Sequence, residues 1–158
     1  MRAVMWSLWG LLTVSIAVGA DDGGLVKRVV EGGHAEGLAP LAPERAGAYG
    51  AGFTREGAEY VCDNGDHAAQ QRGVVWSVEL NQSRAEPVVA SAWARAERTE
   101  GSPNSDFSLY LDLVYADGTP LWGQSAPFEP DPAAGWQRRE VVVTPDRPIR
   151  RMSCYLLY

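Results

Sequence analysis

Apolar and polar positions alternate along residues 107–115. Phe107, Leu109, Leu111, Leu113 and Tyr115 fall on one side, and Ser108, Tyr110, Asp112 and Val114 on the other. Successive side chains of a strand point to opposite faces, so this spacing predicts a strand with one apolar face and one partly polar face. Asp117-Gly118 follows and predicts a tight turn, because glycine accepts positive φ at little cost. Leu121–Gln124 then returns as the second strand of a hairpin. The same period of two runs through 73–81, 87–96, 138–144 and 149–157, with a shorter piece at Glu59–Cys62. Polar turns at 63–66, 81–86, 99–105, 129–135 and 145–148 separate these segments. Many short strands punctuated in this way predict an all-β antiparallel sandwich or barrel. Val74, Trp76, Val78, Leu109, Leu111, Leu113, Val141 and Val143 are its expected core. Before residue 59 the period weakens. Leu25–Val30 is a candidate first strand, and Glu36–Gly52 reads as loop, with Pro40 and Pro43 interrupting any helix.

The first twenty residues carry a different pattern. Arg2 precedes an apolar run from Ala3 to Val18, and Val18-Gly19-Ala20 supplies permissive residues before Asp21. That order predicts a helical signal peptide over 1–20, removed on export. The run is somewhat short for a membrane span, which takes about 20 apolar residues. No later run is long enough to cross, so no membrane association is expected after cleavage. The expected organisation is therefore a leader at 1–20, an irregular segment at 21–58 and a β-sandwich at 59–158.

Charge narrows the partners. The chain has 14 Lys and Arg against 20 Asp and Glu, a formal net charge of −6. Loss of Arg2 with the leader makes it more acidic still. Nucleic acid and anionic lipid would repel such a domain. Export also permits a disulfide between the two cysteines, Cys62 and Cys154. A bridge needs their Cα atoms within roughly 7 Å. Two buried thiols packing as small apolar groups are the alternative.

The strand faces nominate a binding surface. Residues 87–96 place Val89, Ser91, Trp93 and Arg95 on one face. Residues 107–115 place Tyr110 and Asp112 opposite the apolar side, and 149–157 place Arg151, Ser153 and Tyr155. If these strands share a sheet, Trp93, Arg95, Tyr110, Asp112 and Tyr155 line one surface. Aromatic rings stack on the C–H faces of sugars, and Asp and Arg bind hydroxyls. The alternative is that Trp93 belongs to the core and Arg95–Asp112 is a cross-strand ion pair. Trp122, beside a turn, is a further candidate sugar platform. Trp136 is expected to close an end of the sandwich.

The segments Pro87–Glu97, Asp106–Trp122 (with Tyr-Ala-Asp-Gly-Thr at 115–119), Gly135–Val141 (Gly-Trp-Gln-Arg-Arg-Glu-Val) and Pro148–Arg150 follow one another in order. This succession over 59–158 resembles the galactose-binding-like β-jelly-roll carbohydrate-binding modules attached to secreted bacterial glycoside hydrolases. The resemblance implies a jelly roll, a polysaccharide or oligosaccharide ligand, neighbouring domains in a longer chain, and a secreted or cell-envelope location. It also implies a closing strand beyond 153–157. The chain stops at Tyr158, so a missing last strand is expected, with Leu25–Val30 filling the gap as the alternative.

Catalytic signatures are lacking. There is no His-Glu-x-x-His, Gly-x-Ser-x-Gly or phosphate loop. His34 and His67 have no Cys or His at ligand spacing. No cofactor is expected. Asp63-Asn64-Gly65-Asp66 crowds oxygens as a structural calcium site would, but reads more simply as an Asx-type turn. Asn81-Gln82-Ser83 matches a glycosylation sequon. The expected function is a non-catalytic exported module that tethers an attached domain to polysaccharide. The alternatives are a structural or adhesive sandwich without a sugar site, and a fragment of an exported glycoside hydrolase.

Overall fold

The computed structural model describes residues 4–7, 13–16, 39–57, 59–65, 67, 69–97 and 102–158. Among them the regular structure is strand, apart from 3-10 turns at Pro43–Arg45 and Pro132–Ala134. All strand pairings are antiparallel. The strands are β1 (Val4–Ser7), β2 (Thr13–Ile16), β3 (Ala39–Pro40), β4 (Gly47–Gly50), β5 (Thr54–Glu56), β6 (Glu59–Cys62), β7 (Arg72–Glu79), β8 (Val88–Ala94), β9 (Ser108–Tyr115), β10 (Pro120–Pro127), β11 (Gln137–Val143) and β12 (Ile149–Leu157). They form a five-stranded sheet in the order β10-β9-β12-β7-β4, a four-stranded sheet β11-β8-β2-β3, and a three-stranded sheet β1-β6-β5.

Register explains the core. Across β7, β12 and β9, the rows Val74–Leu156–Leu109, Trp76–Cys154–Leu111 and Val78–Met152–Leu113 lie opposite one another. Each row points inward because the side-chain period is two. Val88, Ala90, Ala92 and Ala94 of β8, with Val141 and Val143 of β11, join the same buried cluster from the second sheet. All the expected core residues are buried except Val78, which packs half-buried against the cluster. Each fully buried leucine here contributes about 1.5–3 kcal/mol relative to exposure. The small residues of β8 leave room for the large Trp76 ring and the leucine side chains of the same buried cluster.

The third sheet closes one side through aromatic packing. Tyr60 meets Trp76 edge-on at 5.5 Å, and Phe53 meets Tyr60 at 5.0 Å. Trp76 also donates its indole N–H to the Ala42 carbonyl at 3.1 Å, which ties the 41–46 segment to the sheet. Cys62 and Cys154 are both buried thiols, not joined in a disulfide. Burial alone pushes the Cys154 thiol far up, so it stays protonated and packs as an apolar group.

Three expectations about the chain's organisation change. Within the predicted leader, Val4–Ser7 and Thr13–Ile16 are strands rather than helix, paired with β6 and β8. Their Val, Thr and Ile content suits a strand once a pairing edge is offered. The loop expected over Glu36–Gly52 contains β3 and β4, whose pairings come from neighbouring strands rather than from any period of their own. The strand at 149–157 is not an edge: β9 flanks it on one side and β7 on the other. Among the described strands the edges of that sheet are β10 and β4, so the exposure of an apolar edge, which led to the expectation of a missing last strand, does not concern β12. Leu25–Val30 lies outside the described residues. No helix among the described residues is long and apolar enough to cross a membrane.

Candidate functional site

The outer face of the five-stranded sheet carries an open concavity. Register places Tyr155 of β12 directly opposite Tyr110 of β9 and Val75 of β7. Tyr49 of β4 lies opposite Gly73 of β7. With no side chain at Gly73, the Tyr49 ring reaches across to Tyr155, edge-on at 5.4 Å and 76°. Tyr110 meets Tyr155 from the other side at 5.9 Å and 72°. Glycine at 73 is dictated by the backbone: a Cβ there would lie 2.2 Å from the Leu156 carbonyl oxygen. Gly50, with φ of 57°, is equally constrained, since its Cβ would fall 2.1 Å from the Gln71 carbonyl oxygen. Two close backbone approaches thus bring β4, and Tyr49 with it, to the other tyrosines.

The result is a groove of about 230 Å³ walled by the three tyrosines, with Gln71, Asp106 and Asp112 among its polar lining. Asp112 is held from two sides. The Tyr110 hydroxyl donates to it, and the Gly123 N–H donates to its Oδ1 at 3.2 Å. Partial burial, then the Asp112 charge and this hydrogen bond, raise the Tyr110 phenol above its ordinary value. Tyr110 is therefore a neutral donor at physiological pH. The Tyr49 hydroxyl donates to Gln71 Oε1 at 3.3 Å. The groove presents ring faces and edges, carboxylate acceptors and a side-chain amide. This set suits a ligand with apolar C–H surfaces and hydroxyls.

Trp122 sits beside this groove without lining it. The β9–β10 register slips between Leu121 and Gln124, so Trp122 and Gly123 bulge opposite Asp112. A bulge re-aims side chains at a sheet edge. Trp122 is 67% exposed there.

The structure separates the sequence candidates into two groups. Tyr110, Asp112 and Tyr155 come together as expected. Trp93 and Arg95 do not join them, because β8 belongs to the other sheet, between β11 and β2. The expected Arg95–Asp112 alternative fails for the same reason. Arg95 instead lies over the Trp136 ring at 4.9 Å and pairs with Glu97 at 3.2 Å. Trp136 is 37% exposed beneath that guanidinium rather than sealed inside the sandwich end. Trp93 is half-buried and stands opposite Arg138, which donates to Ser91 Oγ at 2.9 Å and pairs with Glu140 at 2.7 Å. Sequence reasoning missed Tyr49, Gln71 and Asp106. A tyrosine framed by glycines at 47–50 was the available signal.

Other sequence features resolve into local structure. Asp63 Oδ1 accepts from the Gly65 N–H at 2.8 Å, and Asn64 bonds both Gln70 and Arg72. Those contacts build a turn held by its own residues. Among the described residues, no group of three or more His, Cys, Asp or Glu side chains is placed to hold a metal; Asp66 lies outside them. At the far end of β9, Arg147 stacks on Tyr115 at 4.0 Å and pairs with Asp117 at 2.6 Å and Asp146 at 3.4 Å. The Tyr115 hydroxyl also bonds Asp146. This clasp joins the β9–β10 turn to the β11–β12 turn. No family model matches the chain, and neither any curated protein nor any solved structure matches it.

Proposed function

We propose that the chain is a non-catalytic carbohydrate-binding module whose site is the tyrosine groove on the five-stranded sheet. The observation that carries this reading is the joint placement of Tyr49, Tyr110 and Tyr155, mutually edge-on, with Asp106 and Asp112 in one open groove. All three rings line the concavity, and aromatic faces stack on sugar C–H surfaces. The carboxylates accept sugar hydroxyl protons at short distance. A jelly-roll relationship to the modules of secreted glycoside hydrolases, a tethering role for an attached domain, and export through residues 1–20 belong to the same proposal. N-terminal mass spectrometry of secreted material bears on export. A start near Asp21 supports it and removes β1 and β2, whereas retention of both strands counts against it. A structural sandwich without a sugar site is the second reading, favoured by the self-paired residues of the β8–β11 face.

The reading is tested by titrating neutral oligosaccharides onto the folded chain and onto Tyr155→Ala. Tyr155 touches both other tyrosines, so its loss is expected to weaken binding by about thirtyfold, roughly 2 kcal/mol. Unchanged affinity in a folded variant moves the site elsewhere. Binding of no neutral glycan supports the structural reading.

A further inference from the structure

The tyrosine groove does not end at the edge of its three rings. A second hollow of about 330 Å³ lies at the end of the sheet where β12 stops, between the 64–71 and 102–107 segments. Both concavities are lined by Gln71 and Asp106. A small depression of about 20 Å³, bounded by Tyr49, Gln71, Asp106 and Tyr158, joins them. The second hollow repeats the chemistry of the first. Its apolar part is the edge-on pair Phe107 and Tyr158, with centroids 6.1 Å apart.

Three of the four side-chain amides along this track share one arrangement; the fourth, Asn64, donates its NH₂ end to the Gln70 carbonyl at 2.7 Å. Gln71 Oε1 accepts from the Tyr49 hydroxyl, Gln70 Oε1 from Arg72 Nη2 at 3.2 Å, and Asn104 Oδ1 from the Asp106 N–H at 2.9 Å. In these three, each carbonyl end is taken by the protein, which orients the group. Each of their NH₂ ends has no protein partner among the described residues and remains a donor for a ligand oxygen. The nearby cation, Arg72, is bound by Asn64, the Ala51 carbonyl and Gln70. Asp106 stands at the junction of the two hollows, so the track offers oriented amide donors and carboxylate acceptors, with its guanidinium already occupied.

We propose that the second hollow is a further subsite, and that the two together bind the interior of an uncharged linear polysaccharide chain crossing at Gln71 and Asp106. The proposal rests on the glycan-binding reading of the tyrosine groove. The first concavity is smaller than the roughly 300–1,000 Å³ of a typical ligand pocket. One hollow therefore suits a ring or two, while a chain running through both gains contacts as it lengthens.

The test starts from whichever neutral polysaccharide the full chain binds on a glycan array. Calorimetric titration then follows its disaccharide and its hexasaccharide on the wild type, on Ala69→Trp and on Gln70→Ala. Ala69 is an exposed residue on the second hollow, so a tryptophan there obstructs the hollow without entering the core. The expected result is tighter binding of the hexasaccharide by the wild type. Ala69→Trp then loses about tenfold for the hexasaccharide and almost nothing for the disaccharide, with a smaller loss of the same kind for Gln70→Ala. Equal affinity for both lengths, or a variant effect that ignores length, overturns the subsite while leaving the tyrosine groove in place. Equally tight binding of polygalacturonate overturns the uncharged ligand. Binding of no neutral glycan overturns the subsite and the underlying reading together.

Discussion

The outer faces of the two larger sheets are built from the same kinds of residue and differ in what those residues do for one another. On β8 and β11 and the residues that flank them, Arg95 covers Trp136 and pairs with Glu97, while Arg138 pairs with Glu140 and bonds Ser91. These cations, the ring and the carboxylates are engaged with one another. On β9, β12 and β4, the charged groups in the groove are carboxylates and its rings are tyrosines that meet edge-on. Asp112 accepts two hydrogen bonds but has about four acceptor positions. The first face is engaged in its own pairs, and the second leaves carboxylate acceptors open, which is the contrast on which the proposed binding face rests. Residue type alone does not distinguish the two faces; the pairing does.

The largest expected break in this contrast lies beneath the groove. Gly73→Ala forces a Cβ against the Leu156 carbonyl, so β7 and β12 must part. A loss of about 3 kcal/mol is expected by urea unfolding, and glycan binding falls with it. A variant as stable as wild type would show that the strand approach is slack. On the closed face, Arg95→Ala is expected to cost about 1 kcal/mol or less through its lost contact with Trp136, with glycan affinity unchanged. A tenfold loss of affinity there would move the binding face to β8–β11.

Smaller effects sharpen the electrostatics. Asp112→Asn removes a charge that helps hold the Tyr110 phenol high. One tyrosine should then ionise at lower pH in an ultraviolet alkaline titration, and no downward shift would remove the assigned Tyr110–Asp112 contact. The least is expected from the exposed clasp at Arg147. The Asp117 carboxyl is lowered first by hydrogen bonds from Thr119 and then by Arg147, and Asp146 first by the Tyr115 hydroxyl. A lowered carboxyl pKa contributes stability that is present above its unfolded value, near 4, and is lost as pH falls through the folded value. Acid unfolding curves of wild type and Arg147→Ala should therefore differ above pH about 4 and converge below it. Curves separated equally at every pH would assign the clasp to packing alone.

How far the sequence could be read follows from what sets each element. The rows of β7, β9, β11 and β12 were legible because a period of two runs through them and one face is buried. The polar face holding Tyr110, Asp112 and Tyr155 came with them. Strand β4 was illegible: Gly-Ala-Tyr-Gly has no period, and its pairing with β7 comes with the close approach at Gly50. Tyr49 was lost with it. Trp93 and Arg95 were misplaced because alternation gives the faces of a strand but not the sheet it joins. The run Val88–Ala92, buried on both faces, was the clue that β8 is an interior strand. The bulge at Trp122 and Gly123 arises from register and leaves no mark in a period of two.

The contrast between the two faces is tested most directly by amide chemical shifts, recorded while a neutral oligosaccharide that the chain binds is added to the isotope-labelled protein. The account predicts perturbations concentrated at Tyr49, Gln71, Asp106, Tyr110, Asp112 and Tyr155, with Trp93, Arg95, Trp136 and Arg138 unmoved. Perturbations concentrated on the second set would contradict it.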